Sequence, residues 1–266
     1  MDDEYKRYLV EKNYSENTIQ AYLGAWKMYA EYFGNVLTKE SLLKFKQLCS
    51  DKYSVATANL RITAINNYLI FVEKREWKLT AIKVQKRSYR SGIISTDEYR
   101  ELLRALKKAG NLSWYFGVLI MGTTGVRVSE LMNITSKDIE KGYADIIGKG
   151  KKVRRIYFIE RVRRECLIWL GENKGKYIFK NRKGERLTVR GMAWGIKHYG
   201  VAADLPPEVV HPHSIRHMYA KNFLKKSNNL ALLADLLGHD SIETTRIYLQ
   251  ESPEEQIKEV NEIVTW

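Results

Sequence analysis

Cysteine and proline are nearly missing from this chain, with two and four in 266 residues. Cys49 and Cys166 stand apart without metal-ligand spacing, so no disulfide framework is expected and both read as core or half-buried thiols. That usage fits a reducing compartment, here the cytoplasm. No low-complexity tract and no repeat of solenoid period occurs. No run of about 18 apolar residues is present, which argues against a transmembrane helix. The opening MDDEYKRYLVEK lacks the apolar stretch of a signal peptide. Carboxylates are not grouped as a two-metal nuclease would need them. His213 and His217 have the i, i+4 spacing of a zinc pair, but HSIRH lacks the glutamate of H-E-x-x-H. No metal and no cofactor is expected. Acidic residues are also short, 31 against 45 Lys and Arg, for a formal charge of +14. A surplus of this size points to a polyanion, with double-stranded DNA the first candidate. The alternative is a solvated basic surface with no partner.

Apolar residues follow a helical period over most of the chain. Ile19, Tyr22, Leu23, Trp26, Tyr29, Ala30 and Phe33 share one face, with Ser15 as cap and Gly34 as stop. Thr38 starts a second helix holding Leu42, Leu43 and Phe45. A third begins near Ser54 and turns Leu60, Ile65, Tyr68, Leu69 and Val72 to the core. Residues 1–80 therefore predict a compact helical domain. Residues 81–94 predict a basic linker, and Lys83, Lys86 and Arg87 are assigned to phosphate contacts. The capping box at Ser95 and Glu98 opens a second domain, 95–266. Within it, two β-rich runs flank Gly148-Lys149-Gly150, which predicts a hairpin, and Tyr177–Phe179 reads as a further short strand. The fold class is mainly α, with a small β-sheet in a mixed, mostly helical second domain.

Six residues of that domain suit phosphoryl transfer without a metal: Arg127, Lys149, His213, Arg216, His239 and Tyr248. Guanidinium forks hold two phosphate oxygens each and answer charge that grows in the transition state. Lys149, at the hairpin tip, is placed to protonate a departing oxygen. His213 precedes Arg216 by three residues, so a helix sets both on one face. Tyr248 would be the nucleophile, nine residues after His239. Each has a plainer reading. Arg127 could cap a helix or pair with Glu130, and Lys149 could be one more lysine of a basic loop. Lys151, Lys152 and Arg154 are assigned to DNA phosphates.

TGVRVSEL, IGKGKKVRR, HPHSIRH and LGHDSIETTRIY, in that order, resemble the tyrosine recombinase (phage integrase) family, of the Xer-like or compact integrase type. The resemblance covers 95–266. It implies an N-terminal SAM-like, helical core-binding domain and a C-terminal catalytic domain. It also implies that Arg127 and Arg216 are the two arginines, Lys149 the hairpin lysine, His213 and His239 the histidines and Tyr248 the nucleophile. Glu130 matches an acidic position supporting the first arginine, and His217 reads as structural. His211 departs from the usual Ser or Thr. The implied activity is site-specific strand exchange through a 3′-phosphotyrosyl intermediate, without metal or ATP. The implied assembly is a tetramer on two duplexes. Ser252-Pro253-Glu254-Glu255 predicts a C-terminal helix, with Ile257, Val260, Ile263 and Val264 apolar. In this family such a helix commonly docks on a neighbouring protomer. A type IB topoisomerase-like enzyme and an inert DNA-binding regulator stay open as alternatives.

Overall fold

Hydroxyl caps lay out the first helices: α1 (Asp2–Glu11), α2 (Glu16–Phe33), α3 (Lys39–Lys52) and α4 (Val55–Phe71). Ser15, Thr38 and Ser54 accept from the N–H groups of Thr18, Ser41 and Thr57, which satisfies donors that a helix start leaves open. The computed structural model describes residues 2–83, 92–148, 153–171, 177–181, 183–239, 241–249, 257 and 260–264. Its contacts divide the chain into two units, Met1–Lys86 and Arg87–Trp266. In the first, Trp26 stacks on Tyr68 at 3.7 Å and Tyr5 meets the Tyr68 ring edge-on at 4.9 Å. Ala58, Ile62, Ile65 and Leu69 form the buried stripe of α4. Leu60, expected in that core, is 52% exposed. It lies two residues from both Ala58 and Ile62, and at 3.6 residues per turn that is the opposite face.

Residues 79–82, at the start of the expected basic linker, are tied to α4. The Asn66 amide accepts from Leu79 N (2.8 Å) and donates to Leu79 O (2.9 Å). Asn59 does the same with Ile82, at 2.8 and 2.9 Å. The spacing is physical. Seven helical residues rise about 10.5 Å, and three extended residues span roughly 10 Å. Two amides on one face of α4 therefore act as β-partners for residues 79–82. Lys83 follows, exposed. Lys86 and Arg87 lie outside the described residues.

The second unit contains α5 (Thr96–Lys108), α6 (Leu112–Thr124), α7 (Val128–Leu131), α8 (Ser136–Lys141), strands β1 (Tyr143–Ile147) and β2 (Val153–Tyr157), α9 (Glu160–Leu170), α10 (Val189–Val201), α11 (Pro212–Ser227), α12 (Leu230–Leu237) and α13 (Ile242–Arg246). A 3-10 turn, Ile247–Leu249, follows α13. The architecture is mainly helical with a small sheet, as the periodicity predicts. Tyr115–Met121 of α6 are all buried, so this helix is the centre of the unit. The two strands pair antiparallel from Tyr143↔Tyr157 to Ile147↔Val153. Tyr177–Phe179 is not a strand. Ile178 and Phe179 are both buried, so the run lacks the alternation of a half-buried strand. An isolated bridge, Lys180↔Arg186, stands beside it. No helix among the described residues is long and apolar enough to cross a membrane. Ile257, Val260, Ile263 and Val264 are exposed, and Ser252 to Glu255 lie outside the described residues.

The amide strap generates a test. Asn66→Ala leaves both backbone groups of Leu79 without their partner, a loss of about 2 kcal/mol. Hydrogen exchange at the Leu79 amide should quicken by about 30-fold, with α2 protection unchanged. Equal protection in the variant would show that the strap does not hold the segment.

Candidate active site

The site is organised by helix ends. α6 stops at Gly125, which has φ of 65°, and α12 stops at Gly238, with φ of 63°. Both conformations favour glycine. At Gly125 a Cβ would also lie 2.4 Å from Tyr219 Cδ1. The carbonyls at these ends point at Arg216 of α11. Arg216 Nη1 donates to Gly125 O (2.6 Å), and Nη2 donates to Leu237 O (2.8 Å) and to His239 Nε2 (3.1 Å). Arg216 is 3% exposed. Burial, and then the charge of Arg127, lower its guanidinium to about 10, while the Tyr248 phenol, to which it hydrogen-bonds, acts the other way. It stays charged at neutral pH.

The histidines surround the tyrosine. Arg216 can only donate, so His239 Nε2 accepts and Nδ1 carries the proton. That N–H donates to Thr245 Oγ1 at 2.8 Å, and Thr245 is fully buried. His239 stacks on Tyr248 at 5.9 Å, and His217 meets the ring edge-on at 4.7 Å. Tyr248 is 5% exposed. His213 Nε2 lies 2.8 Å from His217 Nε2, so one of the two donates to the other. His211, the residue that departs from the family pattern, has a different task. Its Nδ1 accepts from Ser214 N at 3.1 Å and caps α11. Burial keeps its imidazole below the ordinary value, as a neutral acceptor needs.

Arg127 stands at the N-terminus of α7. Both of its plainer readings describe real contacts. Its backbone N–H donates to Glu130 Oε2 (2.9 Å), and its Nη1 to Glu130 Oε1 (3.0 Å). The Arg127 side chain is 42% exposed and Glu130 only 11%. Burial raises the Glu130 carboxyl, but hydrogen bonds from Arg154 and Arg127 outweigh it and hold the group below its ordinary 4.5. The side chain of Arg154, assigned to DNA phosphates, is turned inward and 8% exposed, with both Nη atoms on Glu130. The signal was in the strand. Arg154 and Ile156 are two apart, so the side of β2 that buries Ile156 also takes Arg154. Thr245 was missed because a buried hydroxyl among helix-start residues has no sequence signature.

The structure thus brings Arg127, His213, Arg216, His239 and Tyr248 into one neighbourhood. A cleft of about 910 Å³ lies beside it, lined by Arg127, Glu130, Arg154 and His239 among others. Lys149, Lys151 and Lys152 lie outside the described residues. Among the described residues, no group of three or more His, Cys, Asp or Glu could hold a metal ion.

Residues 93–255 match the model of the Phage integrase family. The chain is 28% identical to the tyrosine recombinase XerA of Pyrococcus furiosus over 256 residues, covering 92% of this chain and 87% of that protein. Against the tyrosine recombinase XerC of Bacillus subtilis the identity is 25%, over 92% of this chain and 89% of that protein. A lambda integrase dimer bound to a COC' core site superposes with a TM-score of 0.77 at 18% identity, over 93% of this chain and 75% of the other. XerH site-specific recombinase bound to difH substrate gives 0.70 at 24%, over 95% and 81%.

The lowered Glu130 carboxyl sets a pH dependence. Its folded value is below its ordinary one, so its stabilisation is present above 4.5 and is lost as pH falls through the folded value. Glu130→Gln should cost about 3 kcal/mol at neutral pH, the scale of a broken buried pair. Denaturant unfolding of the two proteins should converge as the medium is acidified below the ordinary value. A gap that stays constant with pH would mean that the carboxylate charge is not what stabilises.

Proposed function

Because the chain belongs to the phage integrase family, and is a tyrosine-type site-specific DNA recombinase, we propose that it cleaves and rejoins DNA through a covalent 3′-phosphotyrosyl link on Tyr248. The observation that carries this is the packing of the Tyr248 phenol beside buried Arg216 of the same chain. In that arrangement the nucleophile acts in its own protomer's site. The phenolic oxygen attacks the phosphorus, the 5′ oxygen leaves, and the new ester joins tyrosine to the 3′ end. Arg127 and Arg216 hold the non-bridging oxygens as their charge grows. The phenol proton passes, in this proposal, to His213, which pairs with His217, the imidazole that meets the Tyr248 ring. Lys149 donates the proton to the departing 5′ oxygen. The ester keeps the energy of the phosphodiester, so a second DNA end can reverse the step without ATP. Two guanidinium groups supply the charge a metal would otherwise bring.

The proposed assembly is a tetramer on two duplexes. Lambda integrase has been solved as a tetramer bound to a Holliday junction, and its fold is shared with this chain at a TM-score of 0.77. The exposed Ile257, Val260, Ile263 and Val264 are the edge by which the C-terminal segment would join a neighbour. Lys83, Lys86, Arg87, Lys151 and Lys152 remain the proposed phosphate contacts, which makes affinity fall steeply with salt.

A nicked suicide duplex carrying the recombination site tests the reading. A protein–DNA species resistant to denaturation should form in EDTA and without ATP, and it should vanish in Tyr248→Phe. Arg216→Ala should slow its formation by roughly 10² to 10³-fold, the scale of a lost oxyanion donor. Binding without any adduct would leave an inert DNA-binding protein. An adduct that survives Tyr248→Phe would displace the nucleophile.

A further inference from the structure

The Arg154 side chain is turned inward, where a DNA contact would need it exposed, and its three described donor positions go to two different elements. Nη1 donates to Glu130 Oε1 at 3.0 Å and Nη2 to Oε2 at 2.7 Å, a fork on a fork. Nε donates to Leu236 O at 3.0 Å, in the last turn of α12. The alkyl stem is engaged as well. A Cβ built on Gly238 would stand 2.6 Å from Arg154 Cδ and 3.0 Å from Nη1. The residue that ends α12 is therefore small on the side that Arg154 occupies. One side chain on β2 thus touches the carboxylate that grips Arg127 and the helix end that presents His239. It reaches neither Tyr248 nor the phosphate position through any described contact.

Burying such a pair does little for stability by itself, because desolvation consumes most of the attraction. An apolar side chain at 154 would also fill the space. What an apolar side chain cannot do is fix two carboxylate oxygens and a carbonyl in one plane. Glu130 without Arg154 keeps the Arg127 backbone N–H on Oε2 and the half-exposed Arg127 guanidinium on Oε1, so the fork that fixes both oxygens against α12 is lost. Lysine would keep the charge but could not hold both oxygens and the carbonyl in the same geometry.

We propose that Arg154 is a positioning residue for strand cleavage, which locks Glu130, and through it Arg127, against the α12 end that carries His239. This rests on the tyrosine recombinase reading of the site. It also couples β2, the strand that leaves the hairpin tip, to the two sides of the phosphate site. Displacement of a reacting or charge-stabilising group by an ångström costs about 10²-fold in rate.

The test uses the full chain and the same nicked duplex, under single-turnover conditions, with DNA affinity measured over a range of salt. Arg154→Met and Arg154→Lys should both bind within about threefold of the wild-type affinity and keep its salt slope. Both should form the adduct about 10 to 100-fold more slowly. A cycle with Glu130→Gln checks the route. If Arg154 acts through Glu130, the double variant should be no slower than the slower single one. Should Arg154→Met fail to fold, the pair Arg154→Met with Glu130→Met removes both charges together and restores folding without restoring rate. Normal cleavage, with weakened binding and a salt slope reduced by about one, would overturn the proposal and return Arg154 to the phosphate contacts. Multiplicative losses in the cycle would overturn it too. Absence of an adduct in the wild-type protein would instead remove the reading beneath it.

Discussion

A guanidinium sits almost fully buried in the second unit, and every partner described for it is neutral. Arg216 is held by two backbone carbonyls, an imidazole nitrogen and a phenol. Carbonyl dipoles satisfy N–H donors without cancelling the charge, so the positive field survives for a ligand. A carboxylate in the same place would make the fold more stable and the site weaker. The cost of burying an uncompensated charge is large, and the lowering of the guanidinium to about 10 is its visible trace. The rest of the unit is arranged to meet that cost.

The arrangement depends on where three helices stop and start. Gly125 and Gly238 end α6 and α12 in left-handed conformations, which aims the adjoining carbonyls at one point. α11 brings Arg216 to that point and His213 one turn earlier. Its first turn is closed by Pro212 and the His211 cap, and it is anchored by Ser214, whose Oγ accepts from Ile94 N at 2.6 Å. The Tyr248 segment closes over Ala220, Leu224, Leu233 and Leu237, a small apolar cluster of its own. Its ring is thereby placed by hydrophobic packing, and its hydroxyl by Arg216.

Much of this was legible in the residues. The caps at Ser15, Thr38, Ser54 and Ser95 start helices where their spacing says, and the Gly/Lys run lies between two paired strands. The mainly helical fold with a small sheet follows from those local signals, and the order of the four motifs carries the family. Less visible were features set by tertiary partners. Leu60 is apolar but faces out, because its neighbours at 58 and 62 own the buried face. Arg154 has a basic, apparently exposed sequence context, and only its alternation with Ile156 betrays it. The Asn59 and Asn66 strap depends on a match between helical rise and strand length across residues distant in sequence. Thr245 gains meaning only once His239 has been oriented by Arg216.

Two inward-turned arginine side chains of this unit therefore do opposite work. Arg154 is neutralised by Glu130, and its fork serves geometry. Arg216 is solvated by neutral groups, and its charge is left for use. Arg127 lies between these cases, half exposed and sharing the single Glu130 carboxylate with Arg154. Arg127 and Arg154 thus share one carboxylate, and none stands among the described partners of Arg216. The charges of Arg127 and Arg154 both act against the charged form of Arg216. A single phosphodiester charge entering the cluster would relieve part of that repulsion, and the extra charge of the transition state would relieve more. Helix ends and one shared carboxylate thus hold positive charge that an entering anion would balance. On the recombinase reading, the anion is the scissile phosphate, and that charge favours its transition state over its ground state.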